Sequence, residues 1–182
     1  MNMRVIVGAS LNSGHLETKE HESAIDRVGA LAKATKLGRL IYHWMYARQD
    51  RFSGPVLSEL LVKAAHRFQI SEMHPDRKTL VRACSQAMLE YHSPQCHFCA
   101  GAGETIDGNL KTICHACSGG GKRRYPDGER AYALGIDRTI YEQGWGDRVH
   151  TLLDILASND SGAAAECRLQ LERTTRFDKS EI

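Results

Sequence analysis

Apolar residues recur at helical spacing along most of the chain, with one interruption built on cysteine and glycine. Residues 1–22 carry no sustained period: Val5-Ile6-Val7 reads as a short strand or a packing segment, and Glu17–Glu22 as a solvated lead-in. From Ser23 the period turns helical. Ile25, Val28, Leu31, Ala32, Leu37, Leu40, Ile41, Trp44 and Met45 fall mostly on one stripe, with Ser23 placed to cap and Asp26 near the positive end of the dipole. Gly29 and Gly38 weaken this helix without having to break it.

Phe52-Ser53-Gly54-Pro55 marks a break, and Pro55 suits the first turn of a second helix. Val56, Leu57, Leu60, Leu61, Ala64, Ala65 and Phe68 give that helix its apolar stripe. His74-Pro75 opens a third helix, with Leu80, Val81, Cys84, Ala87, Met88 and Tyr91 inward, and Ser93-Pro94 ends it. After the cysteine-rich stretch, Pro126-Asp127-Gly128 is a turn. Residues 129–141 then follow the cadence of a helix-turn-helix: Ala131 allows close helix approach, Gly135 takes the sharp turn, and Leu134 and Ile136 fill the angle. Asp137 caps the second helix of that pair. Trp145, Val149, Leu152, Leu153 and Leu156 continue a helical stripe, Ser158–Gly162 breaks it, and a last helix runs from Ala163 to about Thr174.

The interruption is Cys96-His97-Phe98-Cys99-Ala100-Gly101-Ala102-Gly103, answered by Cys114-His115-Ala116-Cys117-Ser118-Gly119-Gly120-Gly121. Each Cys-x-x-Cys presents two thiolates from one tight turn, and two such turns complete a tetrahedral shell. Cys96, Cys99, Cys114 and Cys117 are therefore expected to hold one structural Zn2+. Four protein ligands leave no open position for catalysis, and His97 and His115 are expected at the surface. Between the knuckles, Glu104–Ile113 reads as a hairpin turning at Asp107-Gly108.

The fold expected is mainly α: a helical bundle containing a helix-turn-helix, with an inserted four-cysteine zinc ribbon carrying a short β-hairpin. Its parts are a lead-in, 1–22; N-terminal helices, 23–94; the ribbon, 95–124; and the helix-turn-helix with C-terminal helices, 125–176, packing with 23–94 as one domain.

Composition adds limits. The 182 residues include 25% charged and 42% hydrophobic, which suits a globular chain, and the net charge of +2 makes any basic surface a matter of local clustering. Lys122-Arg123-Arg124 is such a cluster, directly after the second knuckle, and is a candidate phosphate contact. Arg138, Thr139 and Glu142 are the exposed early residues of the second helix, placed to reach base edges or phosphates, and Arg130 completes the candidate DNA-binding set. Cys84 and Cys167 lie on separate helices, which favours a reducing compartment. With no secretory leader and no apolar run of spanning length, a cytoplasmic protein without a membrane partner is expected. No spacing argues for a nucleophile set, an open metal site or a phosphate-cradling loop, so neither enzyme activity nor a small-molecule substrate is expected.

The order of these pieces resembles the Q late-gene antitermination proteins of lambdoid phages, in their zinc-containing, lambda-like branch. The matching stretches are Lys78–Tyr91, Cys96–Gly121, Arg124-Tyr125-Pro126, Arg130-Ala131-Tyr132 and Trp145–Leu156, within residues 78–172. The resemblance implies a phage transcription factor. It would bind double-stranded DNA at a late promoter, engage paused bacterial RNA polymerase that still holds its sigma factor, and make the enzyme read through terminators. A DNA-binding activator or repressor without antitermination is the alternative. A chaperone partner is a further one, since J-proteins share the knuckle motif and His74-Pro75-Asp76 invites that comparison.

Overall fold

The computed structural model describes residues 31–46, 49–107 and 110–180, side chains excepted at 107 and 170–180. Six α-helical segments and one antiparallel hairpin make up the described residues, a mainly helical fold. The helices are α1 (Lys36–Met45), α2 (Ser53–Phe68), α3 (Arg77–His92), α4 (Asp127–Leu134), α5 (Arg138–Ile140) and α6 (Gly146–Ser180). The strands are β1 (Glu104–Asp107) and β2 (Leu110–Ile113). No helix among the described residues is long and apolar enough to cross a membrane.

The chain divides into two compact units. One takes the described residues up to Phe68 and those from Asp154 onward; the other is Gln69–Leu153. The expected boundaries at 94 and 125 group the residues differently. The lead-in 1–22 and the expected helix start at Ser23 lie outside the described residues.

In the first unit, α1 and α2 pack together, with Leu37, Ile41, Val56 and Leu60 wholly buried. Leu31, Ala34, Tyr42, Ala163 and Cys167 form a core cluster. Two expectations are corrected here. The helix expected from Ser23 to Met45 is interrupted at Ala34-Thr35. Thr35 Oγ1 accepts from the Gly38 amide at 3.0 Å and starts α1, while Arg39 Nη1 donates to the carbonyls of Ala32 and Ala34, both at 2.9 Å. A side-chain cap and a guanidinium thus satisfy the two helix ends. Conversely, the break expected at Ser158–Gly162 does not occur, and α6 runs through it. The polar side chains there find partners that leave the backbone ladder intact. Asn159 Nδ2 donates to the Ile155 carbonyl at 2.7 Å, Thr35 Oγ1 donates to Asn159 Oδ1 at 2.7 Å, and the Tyr46 hydroxyl donates to buried Asp160 at 2.9 Å. Gly38 lets the helices approach: a Cβ there would sit 2.7 Å from the Asn159 carbonyl oxygen.

In the second unit, α3 buries Leu80, Ala83, Cys84 and Ala87 and packs on α4. α3 begins after Pro75 rather than at it, with Asp76 in the N-cap position. α4 ends as expected at Gly135, which adopts φ 70°. The Gly135 amide donates to the Tyr132 carbonyl at 3.0 Å and the Ile136 amide to the Ala131 carbonyl at 3.1 Å, a Schellman closure. Arg82 Nη1 donates to the Leu134 carbonyl at 3.1 Å, so the last turn is satisfied from α3 as well. The expected recognition helix is shorter than the pattern suggested. Three α residues pass into a π turn, Tyr141–Trp145, which non-helical Gly144 interrupts before α6.

Candidate functional site

The four knuckle cysteines converge. All are buried, all are free thiols, and their sulfurs lie within 4.8 Å of one another. Cys96 Sγ is 3.9 Å from Cys114 Sγ, and Cys99 Sγ is 3.7 Å from Cys117 Sγ. A tetrahedral ion with metal–sulfur bonds of about 2.3 Å sets sulfur–sulfur edges of about 3.8 Å. The quartet therefore fits a metal ion with little movement.

The two knuckles are built alike, eighteen residues apart. The Gly103 amide donates to Cys99 Sγ at 3.2 Å, and the Gly121 amide to Cys117 Sγ at 3.3 Å. The Cys114 amide donates to the Gly103 carbonyl and the Cys96 amide to the Gly121 carbonyl, each at 2.9 Å. Gly103 and Gly121 have φ of 78° and 66°, and a Cβ on either would run into a carbonyl oxygen of the other knuckle, that of Gly119 or Gly101. Close backbone approach, not only turn geometry, excludes a side chain at both. Burial pushes the Cys114 thiol up to about 11. Burial also opposes ionisation of Cys99, but bonds from the Gly103 amide and the neighbouring thiols outweigh it and lower that thiol to about 7. Amide donation to sulfur favours the thiolate that a metal requires.

β1 and β2 pair antiparallel, as expected, with Glu104 opposite Ile113; Asp107 pairs with Leu110 inside the ladder rather than taking the turn expected at Asp107-Gly108. His97 and His115 are exposed, and the only candidate metal cluster among the described residues is the cysteine quartet.

The chain leaves the second knuckle as the basic segment. Lys122 bridges to Gln95, the Arg123 amide donates to the Pro94 carbonyl at 2.9 Å, and the Tyr125 hydroxyl donates to the Ser93 carbonyl at 3.4 Å. These contacts fasten residues 122–125 to the end of α3. Lys122 and Arg124 are exposed; Arg123 is half-buried, its Nη2 on Glu129 at 2.5 Å and its guanidinium 4.5 Å over the Tyr125 ring. Arg138, Thr139 and Glu142 are exposed on and just after α5, and Arg138 Nε donates to Glu142 at 2.7 Å.

Arg130 does not join them at the surface. Its side chain is 13% exposed and forks onto Glu90, Nε to Oε1 at 2.9 Å and Nη2 to Oε2 at 2.7 Å. That pairing, ahead of an opposing effect of burial, raises the Arg130 pKa. Arg130 is therefore a clamp between α4 and α3 rather than an exposed cation. Nothing in the local pattern marks it, because its partner is forty residues away. The one available signal is Glu90 itself, a carboxylate among apolar positions of α3 that needs a cation.

No known family model matches the chain, and no curated protein is significantly similar to it.

Proposed function

We propose that this chain is a DNA-binding transcription antitermination factor of the lambdoid Q type, stapled by one structural Zn2+, that loads onto paused bacterial RNA polymerase. One observation carries the reading. The thiolate quartet holds an exposed basic segment, Lys122 and Arg124, against the same helix, α3, on which α4 packs. The turn at Gly135 and the exposed Arg138, Thr139 and Glu142 follow α4 directly. A rigid cationic segment suits phosphate, and polar side chains after a sharp inter-helix turn suit base edges. The Arg138–Glu142 pair meets DNA as a unit, with Glu142 holding the guanidinium in place until a guanine or phosphate displaces it.

Four thiolates at tetrahedral spacing select zinc over harder ions. Elemental analysis of the purified chain should return one zinc, and Cys96→Ser or Cys114→Ser should release it; retention of a full equivalent by either variant would contradict the four-thiolate assignment. The function is tested by in vitro transcription from the cognate late promoter through a terminator, with zinc-loaded protein. Added readthrough is expected. Promoter binding without readthrough would leave an activator or repressor instead. Arg138→Ala should weaken duplex binding, and Lys122→Ala should reduce its salt slope by about one.

A further inference from the structure

A cleft of about 360 Å³ opens beside the thiolate quartet. Phe98 and His97 bring rings to its lining. Phe98 stands 72% exposed on the first knuckle, its ring centroid 5.6 Å from the His115 ring of the second. Arg123, Arg124 and Glu129 bring charge to the same lining. Glu129 and the Tyr125 ring already hold Arg123. Arg124 is exposed and has no ion-pair partner among the described residues. Backbone bonds between the knuckles, from the Cys96 amide to the Gly121 carbonyl and the Cys114 amide to the Gly103 carbonyl, hold the base of the cleft.

Duplex DNA keeps its base faces covered by stacking, so a ring standing out of the surface gains little from it. A single strand offers both chemistries at once: a base face for the ring and a phosphate for the cation. The cleft lies near the lower end of ligand-site volumes, which run from about 300 Å³, and so has room for a base rather than a helix. We propose that this cleft binds a single-stranded nucleic-acid segment, one base stacked on Phe98 and an adjoining phosphate on Arg124. Stacking accepts any base, so the site selects strandedness and not sequence. It shares Arg124 with the basic segment assigned to duplex phosphate but none of Arg138, Thr139 and Glu142, and it stands whether or not the duplex contacts hold.

Fluorescence anisotropy with labelled oligo-uridine RNA, oligo-thymidine DNA and a mixed-sequence duplex tests it on the zinc-loaded full chain. Both single strands should bind. Phe98→Ala should weaken that binding by roughly ten-fold or more while Phe98→Tyr retains it. Arg124→Ala should lower the salt slope for single strands by about 0.7. Tighter binding of the RNA would assign the physiological strand through its 2′-hydroxyls, and equal or tighter binding of the DNA would assign the deoxy strand. Zinc content equal to that of the unsubstituted chain checks that the exposed Phe98 was removed without loss of the ribbon. No single-strand binding, or equal affinity of Phe98→Ala, overturns the inference. Duplex binding alone would leave the transcription-factor reading standing and sink this one; single-strand binding alone would do the reverse.

Discussion

Replacing Arg130 with alanine should cost stability before it costs any binding function. The guanidinium makes two bonds to Glu90, and Glu90 also accepts from Gln86 Nε2 at 3.0 Å. The Glu90 side chain is 4% exposed and that of Arg130 13%. Alanine leaves the carboxylate buried with an amide donor and no cation, and stranding one member of a buried pair costs about 3–5 kcal/mol. The small residual exposure of Arg130 places the expected loss near 3 kcal/mol. Replacing both partners, Arg130→Met with Glu90→Leu, removes the stranded charge and should cost no more than about 1 kcal/mol. The two single changes should therefore be coupled by about 2 kcal/mol or more. Urea unfolding at pH 7 with saturating zinc measures this, followed by fluorescence of the buried Trp145 in a Trp44→Phe background. A single-variant loss below about 1 kcal/mol, or strict additivity, would refute the clamp. The double variant also separates structure from recognition. It stays folded without a guanidinium at 130, so unchanged duplex affinity is expected, and a fall in affinity would return Arg130 to the DNA-binding set.

Gly162→Ala should raise stability by about 0.5–1 kcal/mol in urea unfolding, because Gly162 lies mid-helix with open space around its Cβ position; destabilisation would restore a break at Ser158–Gly162. Burial pushes the Cys84 thiol from 9.0 up to about 12, so the folded state keeps a proton that the unfolded chain releases. Stability should be full below about pH 9 and fall at up to about 1.4 kcal/mol per pH unit between pH 9 and 12, and Cys84→Ala should flatten that loss; an equal alkaline slope in the variant would remove the attribution. Gly103→Ala should weaken zinc retention against a chromogenic chelator by about ten-fold, since left-handed φ costs an L-residue roughly 1–2 kcal/mol and the Gly119 carbonyl must move, whereas Gly128→Ala, exposed with open space, should not.

What could be read from the chain, and what could not, divides by the distance over which the cause acts. The apolar stripes of α2, α3 and α6 follow from period alone, and the buried Val56, Leu60, Leu80 and Leu152 sit where the period puts them. The metal cluster was readable because each ligand pair and its glycine turn is local. Gly135 was readable because a Schellman closure needs only six residues. The breaks went wrong in both directions for one reason. Ser158, Asn159, Asp160 and Gly162 look like a loop until Thr35 and Tyr46 occupy their polar groups, and Ala34-Thr35 looks like helix until Arg39 folds back to cap it. The burial of Arg130 was hidden for a similar reason: a basic residue beside a basic run reads as surface until its carboxylate partner is known. The helix expected after Gly135 gives way early to a π turn interrupted at Gly144, which its pattern did not mark.

The equivalence of the knuckles has a consequence for the basic segment. Adding eighteen carries Cys96 to Cys114, Gly103 to Gly121 and Glu104 to Lys122; subtracting eighteen carries Ile113 to Gln95. The pair Glu104–Ile113 opens the hairpin, and its counterpart Lys122–Gln95 is the isolated bridge at the base of the ribbon. The same local geometry thus leaves the metal site twice. One exit runs on into β1 and β2. The other is pinned at once to the end of α3, through the Arg123 amide on the Pro94 carbonyl, and becomes Lys122–Arg124. None of these basic residues touches a sulfur, yet their backbone register is set by the turn that holds Cys117. Metal loss should therefore free the basic segment as completely as it frees the hairpin. A metal ion held by the four cysteines would thus order the cations beside the ribbon together with the hairpin, without having a ligand to exchange.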